Sequence, residues 1–278
     1  MMIKLEKPNI SQDDIIDACI DNLRKEPTLS NINSSREHIC VKNNEYDELG
    51  EKGELGSIHT HSIVPGGATK DDMVFLYDKK FVGDGGRKYY DKIKSIPKFE
   101  RCPFCGVFRV STLDHYLPKT EYPTYALSPF NLVASCSNCN TKKSSLVFKS
   151  REEELIHPYY DDFDDEIWLK CKVEYNEDIL FHFLVEKPLC WSNEKYHRAK
   201  NHFDKLELNK LYQAHAAEEF TEYIYSAKKL YKTGKEKSVK ENLQERIDEH
   251  RSIYKNTWKA ALYDGLLNSE EFFDKLSL

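Results

Sequence analysis

Two C-x-x-C pairs, Cys102/Cys105 and Cys136/Cys139, lie thirty residues apart near the middle of a 278-residue chain. No other feature restricts the fold as much. The two-residue gap lets both sulfurs of a pair turn toward one ion, and two such knuckles supply the four thiolates of a tetrahedral Zn²⁺ site. Pro103 and Gly106 suit a tight turn around the first pair, and residues 135–138 suit the start of a helix around the second. With every position taken by sulfur, no coordination site stays open, so the expected zinc is structural. It would clamp the ends of the intervening segment and contribute on the order of 10 kcal/mol to folding. The competing readings of these cysteines are a redox pair or a disulfide. Cys19, Cys40, Cys171 and Cys190 are scattered and are expected to be small, buried apolar side chains.

The chain is long enough to bury a sizeable core. It is 40% hydrophobic and 32% charged, and no apolar run approaches the length that a membrane span needs. Its start, MMIKLEKPNISQDD, lacks the basic-then-apolar order of a secretory signal. A soluble, cytoplasmic protein is expected, and in a reducing compartment C-x-x-C pairs read as metal ligands before disulfides. The net charge of −6 argues against a general nucleic-acid binder. That average hides local bias. Residues 79–101 are basic with interleaved aromatics, residues 142–151 and 228–240 are basic too, and acid is concentrated at 152–154 and 161–166. A basic stripe on an acidic protein can track phosphates, although solvated helix faces have the same composition.

Apolar residues at helical spacing behind Ser11 predict a helix over 11–25. From 31 to 67 the helical pattern weakens, and Gly53, Gly56, Pro65, Gly66 and Gly67 suggest loops. His59-x-His61 has the spacing of a metal pair, but in a polar loop that spacing is usually incidental. Short helices are predicted over 71–80, 87–96 and 141–148. Two β-rich runs, 167–175 and 179–185, flank Asn176-Glu177-Asp178, as a hairpin would. From 192 onward the pattern is helical. Leu206, Leu208, Leu211 and Tyr212 form an apolar patch, continued by Phe220, Tyr223, Ile224 and Ala227, and Gly234 and Gly265 punctuate the run. The expected organisation is a helical N-terminal region (1–98), a metal-bearing module (99–160) and a β-hairpin followed by helices (161–278). The class is α+β and helix-dominated.

The residues between and around the knuckles carry the chemistry. In order they read C-x-x-C, Asp114-His115-x-x-Pro118-Lys119, Tyr122-Pro123, Asn131-Leu132, then C-x-x-C-Asn140-x-x-Lys143. This order resembles the HNH endonuclease family, a branch of the ββα-metal (His-Me finger) nucleases, in its four-cysteine zinc form. The resemblance covers residues 101–150. The aromatic-basic lead-in before Cys102, together with His157-Pro158-Tyr159, is also similar to bacterial anti-phage HNH proteins of the Septu and retron-associated kind.

The resemblance implies a central ββα-metal fold, with strands near 108–115 and 132–135 and a helix near 138–147. It implies metal-dependent hydrolysis of nucleic-acid phosphodiesters, leaving 5′-phosphate and 3′-hydroxyl ends, in defence against phage. His115 would be the general base toward water. Asp114, on the opposite face of the pleat, and Asn140, in the first turn of the helix, would ligate a catalytic Mg²⁺ or Mn²⁺, with phosphate and water completing the shell. Asn131 would brace the loop carrying His115, and Lys119 and Lys143 would meet phosphates. Many family members have a second histidine where this chain has Asn140. Its harder amide oxygen tilts the preference toward Mg²⁺ or Mn²⁺. His157 is a further candidate ligand or phosphate contact, although ordering the turn before Pro158 is its simpler role. DNA is the favoured substrate. The alternatives are an RNA-directed nuclease, or a zinc-stabilised nucleic-acid or protein binding module without turnover. The helical regions on either side would serve substrate binding, oligomer formation or docking of an ATPase or sensor protein.

Overall fold

The structure is a computed structural model that describes residues 3–175 and 178–277. The chain is α+β and helix-rich, with two small antiparallel sheets, and divides into two compact units, Ile3–Asp161 and 162–277. Among the described residues no helix is long and apolar enough to cross a membrane.

In the first unit, α1 (Gln12–Ile20) starts where Ser11 Oγ accepts the Asp13 amide and buries Ile15, Ile16 and Cys19. It ends before 25 because Asn22 takes a left-handed conformation (φ 55°). Leu23 therefore reaches the core from a turn.

Residues 31–52, over which the helical pattern weakens, belong to a 25-residue helix, α2 (Thr28–Lys52), and the loop signals begin only at Gly53. Its buried positions are Thr28, Ile32, Ser35, Ile39, Asn43, Tyr46 and Gly50, spaced three and four apart as one helix face requires. Four of these seven are polar or glycine, so the stripe is invisible to a search for apolar periodicity. Each has a local reason. Asn43 Oδ1 accepts the Ser128 hydroxyl (2.6 Å), Ser35 Oγ accepts the Ala68 amide (3.0 Å), and a Cβ on Gly50 would stand 2.4 Å from the Tyr160 ring.

Helix α3 (Lys70–Phe75) opens with a capping box between Thr69 and Asp72, and then widens over Leu76–Phe81 to i→i+5 bonding. Asp72 also accepts the Thr28 hydroxyl (2.6 Å) and the Asn31 amide (3.2 Å), tying α2 to α3. Burial alone would raise its carboxyl, but the bonds from Thr28, the Thr69 amide and Asn31 together hold it below the usual range. A depressed carboxyl contributes stability above its unfolded pKa of about 3.9 and loses it as pH falls through the folded value. Asp72→Asn is therefore expected to cost roughly 2–3 kcal/mol at neutral pH. Thermal melts should show the deficit shrinking below about pH 4.

Helix α4 (Arg87–Lys94) buries Tyr90 and Ile93. Strands β1 (Thr112–His115) and β2 (Leu132–Ser135) pair antiparallel with Asp114 opposite Val133 and His115 opposite Leu132. β1 is shorter than the predicted 108–115. Residues 100–110 instead fold back on themselves, with Cys102 N bonded to Phe108 O and Val110 N to Glu100 O. Helix α5 (Ser137–Lys143) is likewise shorter than expected, because Ser144 leaves helical space at φ 48°. Side chains of α1 to α4, β1 and β2 share one apolar core, which includes Ile15, Ile39, Phe81, Ile93, Leu113 and Leu132.

The second unit begins with the predicted hairpin, β3 (Leu169–Tyr175) and β4 (Ile179–Val185), paired from Leu169 with Val185 to Tyr175 with Ile179. The turn expected at Asn176-Glu177-Asp178 falls on residues 176 and 177, which lie outside the described residues. Helices α6 (Asn193–Lys205), α7 (Leu208–Arg251), α8 (Trp258–Leu267) and α9 (Glu270–Ser277) follow. The patch of Leu206, Leu208, Leu211 and Tyr212 is buried, with Phe183 of β4 packed 5.5 Å from the Tyr212 ring. The helical run of α7 is interrupted at Lys235 (φ 57°), directly after Gly234. Of the scattered cysteines, Cys19 and Cys171 are buried as expected. Cys40 is half-buried and Cys190 is exposed, because Cys190 lies in the connection between β4 and α6.

Candidate functional site

All four paired cysteines are buried, and their sulfurs lie within 4.8 Å of one another. A tetrahedral Zn²⁺ with Zn–S bonds of ~2.3 Å separates its sulfurs by roughly 3.8 Å. The spacing therefore fits a metal such as zinc. The first knuckle turns at Gly106 (φ 66°), whose amide bonds to Cys102 O (2.8 Å). The second begins α5, where Cys136 Sγ accepts the Cys139 amide (3.4 Å). Contacts with Cys102 and the other two sulfurs hold the Cys105 thiol below its ordinary range and push Cys139 above it. Four crowded, buried sulfurs suit a site that takes thiolate.

β1, β2 and α5 place the remaining candidates around a cleft of about 490 Å³ bordered by Tyr77, Tyr90, Asp114, His115, Lys119 and Asn140. Asp114 is buried. Its Oδ1 accepts Lys143 Nζ (3.2 Å), whereas its Oδ2 has no hydrogen-bond partner among the described residues. Burial pushes its carboxyl up to about 6, against the opposing charge of Lys143. A buried carboxylate oxygen without a partner is costly. The half-buried Asn140 lines the same cleft, so two oxygen-bearing side chains of the kind hard cations take border it.

His115 Nε2 lies 2.8 Å from the Ala126 carbonyl, which can only accept. Nε2 therefore carries the proton, and Nδ1 is left as the basic lone pair. Burial, with the charges of Lys119 and Lys143, pushes its pKa down to about 3, so the ring is neutral at physiological pH. The Tyr77 ring meets it edge-on at 4.3 Å, and Lys119 Nζ sits 4.3 Å from the same tyrosine while pairing with Asp78 at the cleft rim. Tyr77 lies in the widened segment after α3, and nothing in the sequence pattern marks it.

Asn131 uses its whole side chain. Oδ1 accepts Leu117 N (2.7 Å) and the Tyr46 hydroxyl (3.0 Å), and Nδ2 donates to Leu117 O (2.9 Å) and Tyr125 O (3.1 Å). It ties the segment after His115 to the turn carrying Ala126. Tyr46 comes from the helix that sequence reading missed. The signal that its apolar residues do leave is sparse, the seven-residue spacing of Ile32, Ile39 and Tyr46, two helical turns apart.

Two expectations are corrected by placement. Lys143 does not present its ammonium to a phosphate. It is buried with Nζ on Asp114 Oδ1 and on the His115 carbonyl, because the last turn of α5 packs against β1. His157 lies outside the cleft in an aromatic cluster, its ring 4.2 Å from that of Tyr116 and 4.6 Å from that of Tyr160, with Nδ1 accepting the Tyr159 amide (3.2 Å). Ordering the turn at Pro158 is what its bonds accomplish. His61 is engaged by Thr124 (2.7 Å) and the His59 carbonyl (3.1 Å), and His59 and His61 form no metal cluster among the described residues.

Removing Lys143 strands a buried carboxylate. Lys143→Met is expected to destabilise the first unit by roughly 3 kcal/mol. Asp114→Asn in the same chain should restore part of that loss, and thermal melts of both variants read the coupling.

No protein-family profile matches the chain, and no solved structure does. A curated relative that does match is Protein ea31 of Escherichia phage lambda, 29% identical over 296 aligned residues, which span 98% of this chain and 99% of that protein.

Proposed function

We propose that the chain is a zinc-stabilised HNH-type endonuclease that hydrolyses nucleic-acid phosphodiesters, DNA before RNA, at the cleft between β1 and α5. The observation that carries the reading is the convergence on one cleft of a partnerless buried carboxylate oxygen, an asparagine and a neutral histidine with Nδ1 as its basic lone pair. The order of strand, strand and helix behind the knuckles supports a ββα-metal core. When bound, Mg²⁺ or Mn²⁺ supplies charge for the transition state and for the departing 3′ oxygen. Asp114 and Asn140 would hold it. His115, anchored through Nε2, accepts a proton from the attacking water at Nδ1, and an approaching phosphate raises its basicity by opposing the nearby lysines. Asn131 and Tyr46 keep the two backbone segments that flank the base in register.

A second reading has its own observation. Lys143 Nζ already contacts Asp114 Oδ1, so the carboxylate is partly neutralised from within, as in a zinc-stabilised binding module without turnover. We infer a role in the conflict between phage and bacterium. The likeness to a phage protein over 98% of the chain supports that setting, and defence is the role implied by the resemblance of the lead-in before Cys102 and of His157-Pro158-Tyr159 to anti-phage HNH proteins. The deciding experiment incubates the native chain with supercoiled plasmid, linear duplex and RNA in Mg²⁺ or Mn²⁺. Nicked or linear product, or shortened RNA, is expected. Intact substrates in every arm would leave the binding module.

A further inference from the structure

The loop joining α4 to the first knuckle carries a feature the cleft does not use. Phe99 is 93% exposed, and its backbone, with that of Glu100, sits in the left-handed region at φ 56° and 52°. An aromatic side chain gains nothing from full exposure, and an L-residue that is neither glycine nor asparagine pays for that conformation. The strained tip is held firmly. Glu100 O accepts the Val110 amide (2.7 Å), Cys102 N bonds to Phe108 O (2.9 Å), and Arg101 and Arg109 bridge the two arms. Phe108, 36% exposed, stands on the opposite arm. Lys98, Arg101 and Arg109 are exposed around this tip, and Glu100, the one acidic residue of 98–109, is occupied by Arg109.

We infer that Phe99 is a stacking platform for an unpaired nucleic-acid base, with the surrounding cations taking the flanking phosphates. The inference rests on the nucleic-acid part of the proposed function but not on turnover. Charge selects the occupant: with Arg109 paired to Glu100, a protein segment buried against Phe99 would still have to desolvate Lys98 and Arg101, whereas a polynucleotide brings a ring and an anion at each step. The fold commits the knuckle itself to holding the ring outward, at the end of a basic segment whose helix α4 also contributes Tyr90 to the cleft. A single-stranded, flipped or frayed substrate satisfies this geometry. Inside a fully stacked duplex no base offers the ring a free face.

The test measures binding of the full chain, with no divalent cation added, to a labelled single-stranded DNA, the same sequence as RNA, and a blunt duplex. Phe99→Ala is expected to weaken single-strand binding roughly tenfold or more while changing duplex binding less than about twofold. Phe99→Trp should bind as the native chain does, and Phe99→Leu should resemble Phe99→Ala, since a flat π face is required. Phe99→Gly, which relieves the backbone, should lose binding while its melting temperature rises. Unchanged single-strand binding by Phe99→Ala, equal losses on duplex, or full rescue by leucine would each overturn the inference. Stronger loss on RNA or on DNA identifies the substrate. Cleavage by the native chain with no Phe99 effect refutes only the platform. A Phe99 effect without cleavage refutes only the nuclease.

Discussion

Cys102→Ser is expected to abolish zinc binding and to unfold the Ile3–Asp161 unit at temperatures where the native chain is folded. The four sulfurs connect the turn before β1 to the junction of β2 and α5, so one missing thiolate opens the clamp at both ends. The expected loss is on the order of 10 kcal/mol, as large as the whole stability of an ordinary domain. Elemental analysis and melting curves measure it together. The exposed Cys190→Ser is the control and should change neither. A Cys102→Ser chain that melts normally with its full metal content would remove the four-cysteine site.

His115→Ala is expected to lower cleavage by about 10²–10⁴-fold, the usual contribution of a positioned base. The effect should be on turnover, with zinc content retained. Because the variant leaves the Ala126 carbonyl without its donor, a stability loss of roughly 1–3 kcal/mol should accompany it. His115→Gln, whose side-chain amide can still donate, should recover stability without recovering cleavage. That split separates a catalytic role from a structural one. Cleavage unchanged in His115→Ala would place the base elsewhere.

What was legible in the sequence depended on how local its cause is. Strands β3 and β4 and the start of α1 were readable within a residue or two, because alternation and a serine cap act over short spans, whereas β2 was expected only from the resemblance. The grouping of Cys102, Cys105, Cys136 and Cys139 follows from spacing alone. Helix α2 was not readable. Its buried face is filled by Ser35, Asn43 and Gly50, whose partners Ala68, Ser128 and Tyr160 are remote in sequence. Local periodicity measures apolarity, and these residues are buried by hydrogen bonds and close approach instead.

The same division runs through the site. Sequence by itself determined which side chains stand beside the two knuckles, and the resemblance singled out Asp114, His115, Asn131 and Asn140 among them for the proposed chemistry. Only the tertiary structure decided what each side chain is free to do. It turned Lys143 inward onto Asp114, withdrew His157 into a ring of tyrosines, fixed the proton of His115 on Nε2 and left Asp114 Oδ2 without a partner. Residue type and spacing set which functional groups a chain offers. Burial and hydrogen-bond partners, brought together from distant segments, set which lone pair or charge remains available.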